Sequence, residues 1–199
     1  MSDIALAYVT CDKYAHVWKE WYEAFEKHWG CDLPCYFCGE TIAAPFFEAI
    51  PHRAVPVEQW AEKLSAQVEK IPEEYIFVWL DDHIQKFNID KEFLEIALWI
   101  RRFKPDALRI MPRSSVSRYH FAQSLHGRPL HKLWSRSAYR VSFSPNIYQR
   151  DFLLDVLKKG GTPWELELYS QVKPEREIYA YHIDGWCENK IISYAKTGK

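Results

Sequence analysis

Two adjacent carboxylates, Asp81 and Asp82, directly follow the apolar run 75–80 of the sequence. Such a run predicts a strand that is buried on both faces, so the pair lies where that strand ends. Neighbouring carboxylates repel each other unless a cation neutralises them, and their oxygens suit the hard divalent ions that bridge phosphates. The pair therefore predicts a metal site, although aspartate is also common where a strand opens into an ordinary loop. His182 is a candidate for a further ligand, although a lone histidine is more often structural.

A second candidate lies in the segment 162–167, which reads Thr-Pro-Trp-Glu-Leu-Glu. Thr162 and Glu165 stand at the spacing of a capping box, with Pro163 at the first helical position, so Glu165 already has a structural role. Glu167 has no such role in the pattern. A carboxylate near a helix start and beside a tryptophan is a candidate general base, and a solvated helix glutamate is the alternative.

Cys31, Cys35 and Cys38 have a spacing that resembles the cluster loop of radical SAM enzymes, in which three thiolates hold an iron–sulfur cluster. The first predicted strand is followed by a helix rather than by this loop, and no glycine-rich stretch follows the cysteines. Buried thiols in a core strand are the simpler interpretation. The odd count of five cysteines without an export signal also favours free thiols.

The charge of the chain is unevenly distributed, although 26 Lys+Arg and 27 Asp+Glu give a net charge of only −1. Residues 1–106 carry 11 basic and 19 acidic residues, which gives −8, whereas residues 107–150 carry eight basic residues and no acidic one. We call residues 107–150 the basic segment. Its arginines either pair with the acidic half of the fold or form an anion site for phosphate, pyrophosphate, a lipid headgroup or nucleic acid.

The elements that position these residues alternate between strands and helices, which is typical of an α/β sheet whose ligands bind at the carboxyl ends of the strands. A hydrophobic content of 48% supports a full core. No run is long enough to span a bilayer and no export signal precedes the first strand, so we expect a cytoplasmic protein. The predicted strands are 4–9, 34–38, 53–57, 75–80, 107–111 and 138–143. The predicted helices are 13–29 (capped by Asp12), 58–71, 91–103 and 150–158. Residues 112–140 are predicted to form loops around a short element, and 177–182 with 190–194 to form a hairpin.

Five pieces of the sequence resemble bacterial GT-A-fold glycosyltransferases of the polysaccharide and lipopolysaccharide biosynthesis type. They occur in the order of that family and span about residues 4–170. The resemblance implies an α/β fold with a GT-A-like, Rossmann-type, mostly parallel sheet flanked by helices and a small C-terminal hairpin. It also implies a single domain over 1–199, with a nucleotide-sugar-binding half (1–111), an acceptor-side half (112–176) and the hairpin (177–199). The pieces are 9–14 with Trp18, Trp60 with Leu64, 75–82, 147–153 and 163–167.

The resemblance implies an enzyme that moves a sugar from a nucleotide-sugar donor to a hydroxyl acceptor, with Mn²⁺ or Mg²⁺ as cofactor. The acceptor is a saccharide, free or lipid-linked, and the protein is cytoplasmic or peripheral at the inner membrane face. The donor contacts are Thr10, Asp12, Tyr14, Asp81 and Arg150. Asp81 and Asp82 stand for a metal-binding motif whose usual form is Asp-x-Asp, so this sequence departs from it. Glu167, or otherwise Glu165, falls where inverting members place their base.

Three other interpretations stay open. The chain could be a non-catalytic module that binds sugar nucleotides or glycans, because a fold does not determine an activity. The basic segment could engage nucleic acid, although the net charge and the lack of a recognised nucleic-acid motif argue against it. The radical SAM interpretation is the third. Trp134, Trp164 and Tyr148 are further candidates, since aromatic rings stack on the apolar faces of sugars.

Overall fold

The computed structural model describes residues 3–110, 117–169 and 172–189. Their strands form a nine-stranded sheet in the order β3-β2-β1-β4-β9-β6-β10-β8-β7 and a two-stranded sheet of β5 and β11. In the large sheet β8 and β9 run against the other seven strands. The strands are β1 (Ile4–Val9), β2 (Cys35–Cys38), β3 (Glu48–Ala49), β4 (Tyr75–Leu80), β5 (His83–Gln85), β6 (Ala107–Arg109), β7 (Tyr119–Leu125), β8 (Arg128–Leu133), β9 (Asn146–Gln149), β10 (Ile178–Tyr181) and β11 (Cys187–Asn189).

Helices cover both faces of the large sheet. They are α1 (Ala15–His28), α2 (Trp60–Val68), α3 (Asp90–Phe103), α4 (Arg150–Leu157) and α5 (Pro163–Tyr169). The core residues of α1 and α3 lie on one face, and those of α2, α4 and α5 lie on the other. Successive residues of β1 point to opposite faces, so Leu6 and Tyr8 pack in the first core and Ala5 and Ala7 in the second. This confirms that β1 is buried on both faces.

Many of the aromatic residues pack in the core between the sheet and α1. The ring centroids of Trp21 and Trp79 lie 5.3 Å apart, and those of Trp79 and Trp186 lie 5.0 Å apart. Buried indoles usually find a partner for their N–H group. Trp79 Nε1 donates to the carbonyl of His83 at 2.7 Å, and Trp186 Nε1 donates to the carbonyl of Ile110 at 2.6 Å. The first of these bonds fixes the turn that carries Asp81 and Asp82.

Two predicted strands are absent, and others replace them. Residues 53–57 are largely exposed and irregular up to Pro56, and the strand next to β2 is Glu48–Ala49 instead. The stretch 138–143 buries Val141 and Phe143 but is not extended, because Tyr139 has a positive φ of 52°. The predicted loop region contains β7 and β8 as an antiparallel pair.

The predicted C-terminal hairpin does not form among the described residues. β10 is flanked on one side by β6 and on the other by β8, so it has no free edge for a second arm. The segment 190–194 lies outside the described residues. Cys187–Asn189 instead pairs antiparallel with β5, which brings the chain to the end of β4.

Among the described helices, none is long and apolar enough to cross a bilayer.

Candidate functional site

A cavity of about 560 Å³ lies at the carboxyl ends of β1 and β4. These strands are parallel neighbours, with Val9 opposite Leu80, so the loops that follow them meet at one edge of the sheet. Other parts of its lining come from α2, the loop before β9, the start of α5, and β11. The volume is in the range of small-molecule sites, which are about 300–1,000 Å³.

Asp81 is buried at the base of this cavity, with 6% of its surface exposed. The hydroxyl of Thr10 donates to its carboxylate, and Trp18 Nε1 donates to the Thr10 oxygen at 2.7 Å. Burial raises the pKa of Asp81 to about 7, and the neighbouring Asp82 adds to this effect. Ionisation of the Asp81 carboxyl group is therefore less favourable than in water, and a bound cation would stabilise the ionised form.

Asp82 is held between two elements of the small sheet. His83 Nδ1 lies 2.6 Å from Asp82 Oδ1, and Asn189 Nδ2 donates to Asp82 Oδ2 at 2.9 Å. The pairing of β5 with β11, in which Asn189 stands opposite His83, creates this arrangement. Asp82 is thus fixed in orientation from both sides. His83 can be predicted to lie at the site because it follows Asp82 directly in the sequence. Asn189 cannot, because no local pattern reveals the pairing of β11 with β5.

The two carboxylates fit a hard divalent cation as part of its ligand set. Each carboxylate oxygen has two lone pairs, so the bonds to Thr10, His83 and Asn189 leave acceptor capacity. Mg²⁺ is commonly bound by one or two carboxylates, with phosphates and waters as its other ligands. No cluster of three His, Cys, Asp or Glu that could hold a metal occurs in the described part of the chain. Waters and substrate phosphates are the usual further ligands of such an ion.

His182 is not brought to this pair. It follows β10, which lies three positions from β4 in the sheet, or about 14 Å at the usual strand spacing. Its ring lies beside Tyr119 and His131, with centroids 6.0 and 5.9 Å away. The structure therefore separates the third predicted metal ligand from Asp81 and Asp82.

Lys63 of α2 is a cavity residue that the sequence does not reveal, because a lysine on an amphipathic helix is usually exposed. Only 2% of its surface is accessible. Its Nζ donates to the carbonyl of Thr10 at 3.0 Å and to Glu40 Oε1 at 3.1 Å, and the other oxygen of Glu40 accepts from the backbone of Asp12. This buried ion pair joins the loops after β1 and β2, so it sets the shape of the cavity.

We expect Lys63→Met to destabilise the protein by about 3–5 kcal/mol, because it leaves the buried Glu40 carboxylate without its cation. Chemical denaturation measures the change. Lys70→Met, at the exposed end of the same helix region, is the matched control and should change the stability by less than about 0.5 kcal/mol. Equal stability of the two variants would contradict the structural role of the ion pair.

The three predicted donor contacts after β1 are placed differently. Thr10 and Tyr14 line the cavity, together with Lys13. Asp12 does not line it and does not cap α1, since its carboxylate accepts bonds from the backbone N–H groups of Thr41 and Ile42. It secures the loop after β2 instead.

The two glutamates of α5 have different environments. Glu165 is exposed and forms the predicted capping box, in which it accepts from the Thr162 backbone at 2.9 Å and its own N–H donates to the Thr162 hydroxyl at 3.1 Å. Glu167 is half-buried, lines the cavity and accepts a bond from the Phe143 backbone at 2.6 Å. Burial raises the pKa of Glu167, while the Phe143 N–H opposes this shift. Only Glu167 can reach a ligand in the cavity.

The basic side chains described in the basic segment do not line the cavity. Buried Arg140 donates to the carbonyls of Val172, Lys173 and Arg176, and buried Arg109 donates to that of Tyr139. Lys132 and Arg128 form ion pairs with glutamates of other segments. Of these contacts, the Arg128–Glu92 pair joins the basic segment to the acidic half as one interpretation expects, whereas Arg109 and Arg140 bind backbone carbonyls instead.

Arg150 is at the opposite edge of the sheet from Asp81. It follows β9, which is antiparallel to β4 and pairs Gln149 with Tyr75 at the amino end of β4. Its guanidinium donates to the carbonyl of Ile71 at 3.0 Å. The length of β4, about 16 Å, therefore separates Arg150 from the cavity.

The three cysteines of the C-x3-C-x2-C spacing do not converge. Cys31 and Cys35 pack against the core on one face of the sheet, whereas Cys38 belongs to the core on the other. Burial raises the pKa of each thiol to about 12, as expected of structural thiols in a core. The radical SAM interpretation is wrong.

Of the aromatic candidates, only Trp164 lines the cavity. Trp134 lies elsewhere on the surface, with 49% of its area exposed. Tyr148 is fully buried and its hydroxyl donates to the carbonyl of Ser142, so its ring is not accessible to a ligand.

Comparisons with known proteins identify the fold. No family model matches the chain, and no curated protein matches its sequence. The structure of S. aureus TarS is similar over 94% of this chain, with a TM-score of 0.57 and 13% identity, and the match covers 36% of TarS. TarS residues 1–349 in complex with UDP-GlcNAc matches over 92%, with a TM-score of 0.54, 12% identity and 58% coverage of that protein.

A third structure is similar over nearly its whole length. CMP:2-keto-3-deoxy-manno-octonic acid synthetase in complex with CTP matches 92% of this chain and 90% of its own, with a TM-score of 0.55 and 12% identity. The chain therefore has the GT-A and nucleotidyltransferase type of α/β fold, with a large, mostly parallel sheet flanked by helices. The expected fold class is confirmed, apart from the C-terminal hairpin.

Proposed function

We propose that this protein is a glycosyltransferase that moves a sugar from a nucleotide-sugar donor to the hydroxyl group of an acceptor, with the help of a divalent cation. The observation that carries the proposal is the cavity at the ends of β1 and β4, which combines Asp81 and Asp82 with the half-buried Glu167. The fold supports it, because the similar structures include one with UDP-GlcNAc and one with CTP.

The strand-end side of the cavity would receive the nucleotide and its phosphates. Glycosyl transfer builds negative charge on the leaving diphosphate, and Mn²⁺ or Mg²⁺ held by Asp81 and Asp82 would supply positive charge there. Lys63 and Lys13 are the cations of the described chain that line the cavity. Lys63 holds the loop after β1 through the Thr10 carbonyl, so that loop is ordered before the donor binds.

Glu167 would accept the proton of the attacking hydroxyl group. A general base must lie within hydrogen-bond reach of the proton that it removes, and its efficiency rises as its pKa approaches the working pH. One oxygen of Glu167 is bound to the Phe143 N–H. The Ser142 side chain also hydrogen-bonds this carboxylate, so both bonds hold it in place. Burial raises the pKa of the carboxyl group in the required direction.

A thermal-shift screen of nucleotide sugars tests donor binding, because a ligand that binds only the folded state raises the apparent stability. We expect at least one nucleotide sugar to raise the Tm by several degrees with Mn²⁺ and by less with EDTA. The matching nucleoside diphosphate is the control for recognition of the sugar. Absence of a shift across UDP-, GDP-, CMP- and dTDP-sugars would contradict the proposal.

A further inference from the structure

The cavity has two sides of different chemistry. The strand-end side carries the charged groups Asp81, Asp82 and Lys63. The other side is formed by Trp60, Phe143, Pro163 and Trp164, which we call the aromatic wall. The rings of Trp60 and Phe143 pack edge to face, with centroids 4.7 Å apart. Glu167 is the charged residue that lines the cavity beside the aromatic wall, and the wall itself contains no cation among the described residues.

Trp164 is exposed to an unusual degree for a tryptophan next to a cavity, with 62% of its surface accessible. The backbone beneath it is nevertheless well fixed. Thr162 and Glu165 close the capping box on either side of it, and Leu166, with 3% exposure, anchors α5 in the core. The indole ring is thus presented on a rigid support without being required by the core, which is typical of a residue that contacts a ligand.

Trp164 and Glu167 are three residues apart on a helix, so their Cβ atoms lie on the same side, about 5–6 Å apart. The Phe143 N–H holds the Glu167 carboxylate at the cavity. A flat ligand that stacks on the indole would therefore present its edge to this carboxylate. A pyranose ring meets that requirement, since its C–H face is apolar and its hydroxyl groups point outward from the ring edge.

We propose that Trp164 is the stacking platform for a pyranose ring of a neutral saccharide, and that Glu167 faces a hydroxyl group of that ring. This proposal rests on the proposed function to the extent that the saccharide is the acceptor of the transfer. The Glu167 carboxylate beside the aromatic wall would repel a phosphate or carboxylate group on the stacked ring. The platform therefore favours an uncharged sugar at this position.

Fluorine NMR of the full chain, with its nine tryptophans replaced by 5-fluorotryptophan, tests the platform without any need for turnover. The fluorine signal that disappears in Trp164→Phe is assigned to Trp164. The signal that disappears in Trp134→Phe is assigned to Trp134, which is the exposed control outside the cavity. The probes are the methyl glycosides of glucose, galactose, mannose and N-acetylglucosamine. We expect at least one of them to shift the Trp164 signal in a saturable manner while the Trp134 signal stays in place.

Three results would overturn the platform. One is a Trp164 signal that stays unmoved by all four glycosides. Another is a Trp164 signal that responds to UMP or CMP and to no glycoside, because the ring would then stack on a nucleobase. A shift caused by a short-chain detergent alone would likewise identify an apolar tail as the occupant and overturn the proposal.

Kinetics separate this proposal from the proposed function. With an active donor and acceptor pair, Trp164→Ala should raise the acceptor KM about tenfold, more than Trp164→Phe, which keeps an aromatic face. Trp134→Phe is the matched control and should behave as the wild type. If Trp164→Ala transfers sugar with an unchanged acceptor KM, the stacking role of Trp164 is excluded and the glycosyltransferase function is retained. If glycosides shift the Trp164 signal but the protein transfers no sugar from any donor, the glycosyltransferase function is excluded and the stacking role is retained.

Discussion

Replacement of Asp82 by alanine should reduce sugar transfer by at least about a hundredfold, the usual cost of losing one group that stabilises charge in the transition state. The same change should weaken donor binding in the presence of Mn²⁺ or Mg²⁺. Asp82 is held in orientation by His83 and Asn189, so its removal deletes a fixed ligand rather than a mobile surface carboxylate. Release of the nucleoside diphosphate measures turnover, and calorimetry measures donor affinity with and without the cation.

Two further variants separate charge from shape at this position. Asp82→Asn keeps the size of the side chain and a carbonyl that can accept from Asn189, yet it removes the negative charge, so it should lose transfer nearly as fully as alanine. Asp184→Asn changes an exposed aspartate in the turn before β11 and should leave transfer unchanged. Turnover of Asp82→Ala at the wild-type rate would remove this residue from the site.

Glu167→Gln should keep donor binding and lower the turnover by about 10²–10⁴-fold, the usual contribution of a positioned general base. Glutamine retains an oxygen that accepts from the Phe143 N–H, so the loop before β9 should keep its place. It lacks only the ability to take a proton at neutral pH. Calorimetry with the donor and single-turnover transfer measure the two effects separately.

Glu165→Gln is the matched control, because Glu165 lies two residues away on the same helix and is exposed. Glutamine is also accepted in a capping box, so this variant should retain the helix start and transfer within about twofold of the wild type. Equal losses in both variants would indicate that α5 has a structural role alone. Full turnover in Glu167→Gln would exclude Glu167 as the base.

The central strands are predictable from the sequence because both of their faces are buried. β1 and β4 are uninterrupted apolar runs, and they pair in parallel from Ile4 opposite Tyr75 to Val9 opposite Leu80. The stretch 138–143 has a similar pattern, since Val141 and Phe143 are buried, but the positive φ of Tyr139 prevents an extended chain. Apolar periodicity reports burial, and it does not distinguish a strand from a loop that packs on the core.

Some residues of the candidate site can be predicted because they directly follow a predicted strand. Asp81 and Asp82 are candidates for this reason, and Glu167 is a candidate because the capping box accounts for Glu165 but not for Glu167. Lys63 could not be identified, since its burial depends on Glu40 at the end of another strand. Arg150 was misplaced because the direction of β9 decides its position, and no local pattern reveals that β9 is antiparallel to β4.

The near-zero net charge also has a structural explanation. Arg109 and Arg140 of the basic segment are buried and donate to backbone carbonyls, and burial lowers the pKa of both guanidinium groups. Such bonds satisfy carbonyls of loops that lack a strand partner. The acidic segment 1–106, by contrast, supplies Asp81 and Asp82 of the cavity, whereas Glu167 comes from α5. Under the proposed function, the phosphate side of the cavity would rely on Lys13 and a bound cation, because Lys63 is already paired with Glu40.

Mass spectrometry of a complete reaction is the direct test of metal-assisted sugar transfer by this protein. The protein is incubated with Mn²⁺, a mixture of nucleotide sugars and a panel of neutral saccharide acceptors, with the Asp82→Ala protein in a parallel reaction. We expect a product that is heavier than one acceptor by one sugar residue, together with an equal amount of released nucleotide, in the wild-type reaction alone. If the protein binds a nucleotide sugar but neither transfers nor hydrolyses it across the panel, the proposed glycosyltransferase function is contradicted and the protein is a binding module.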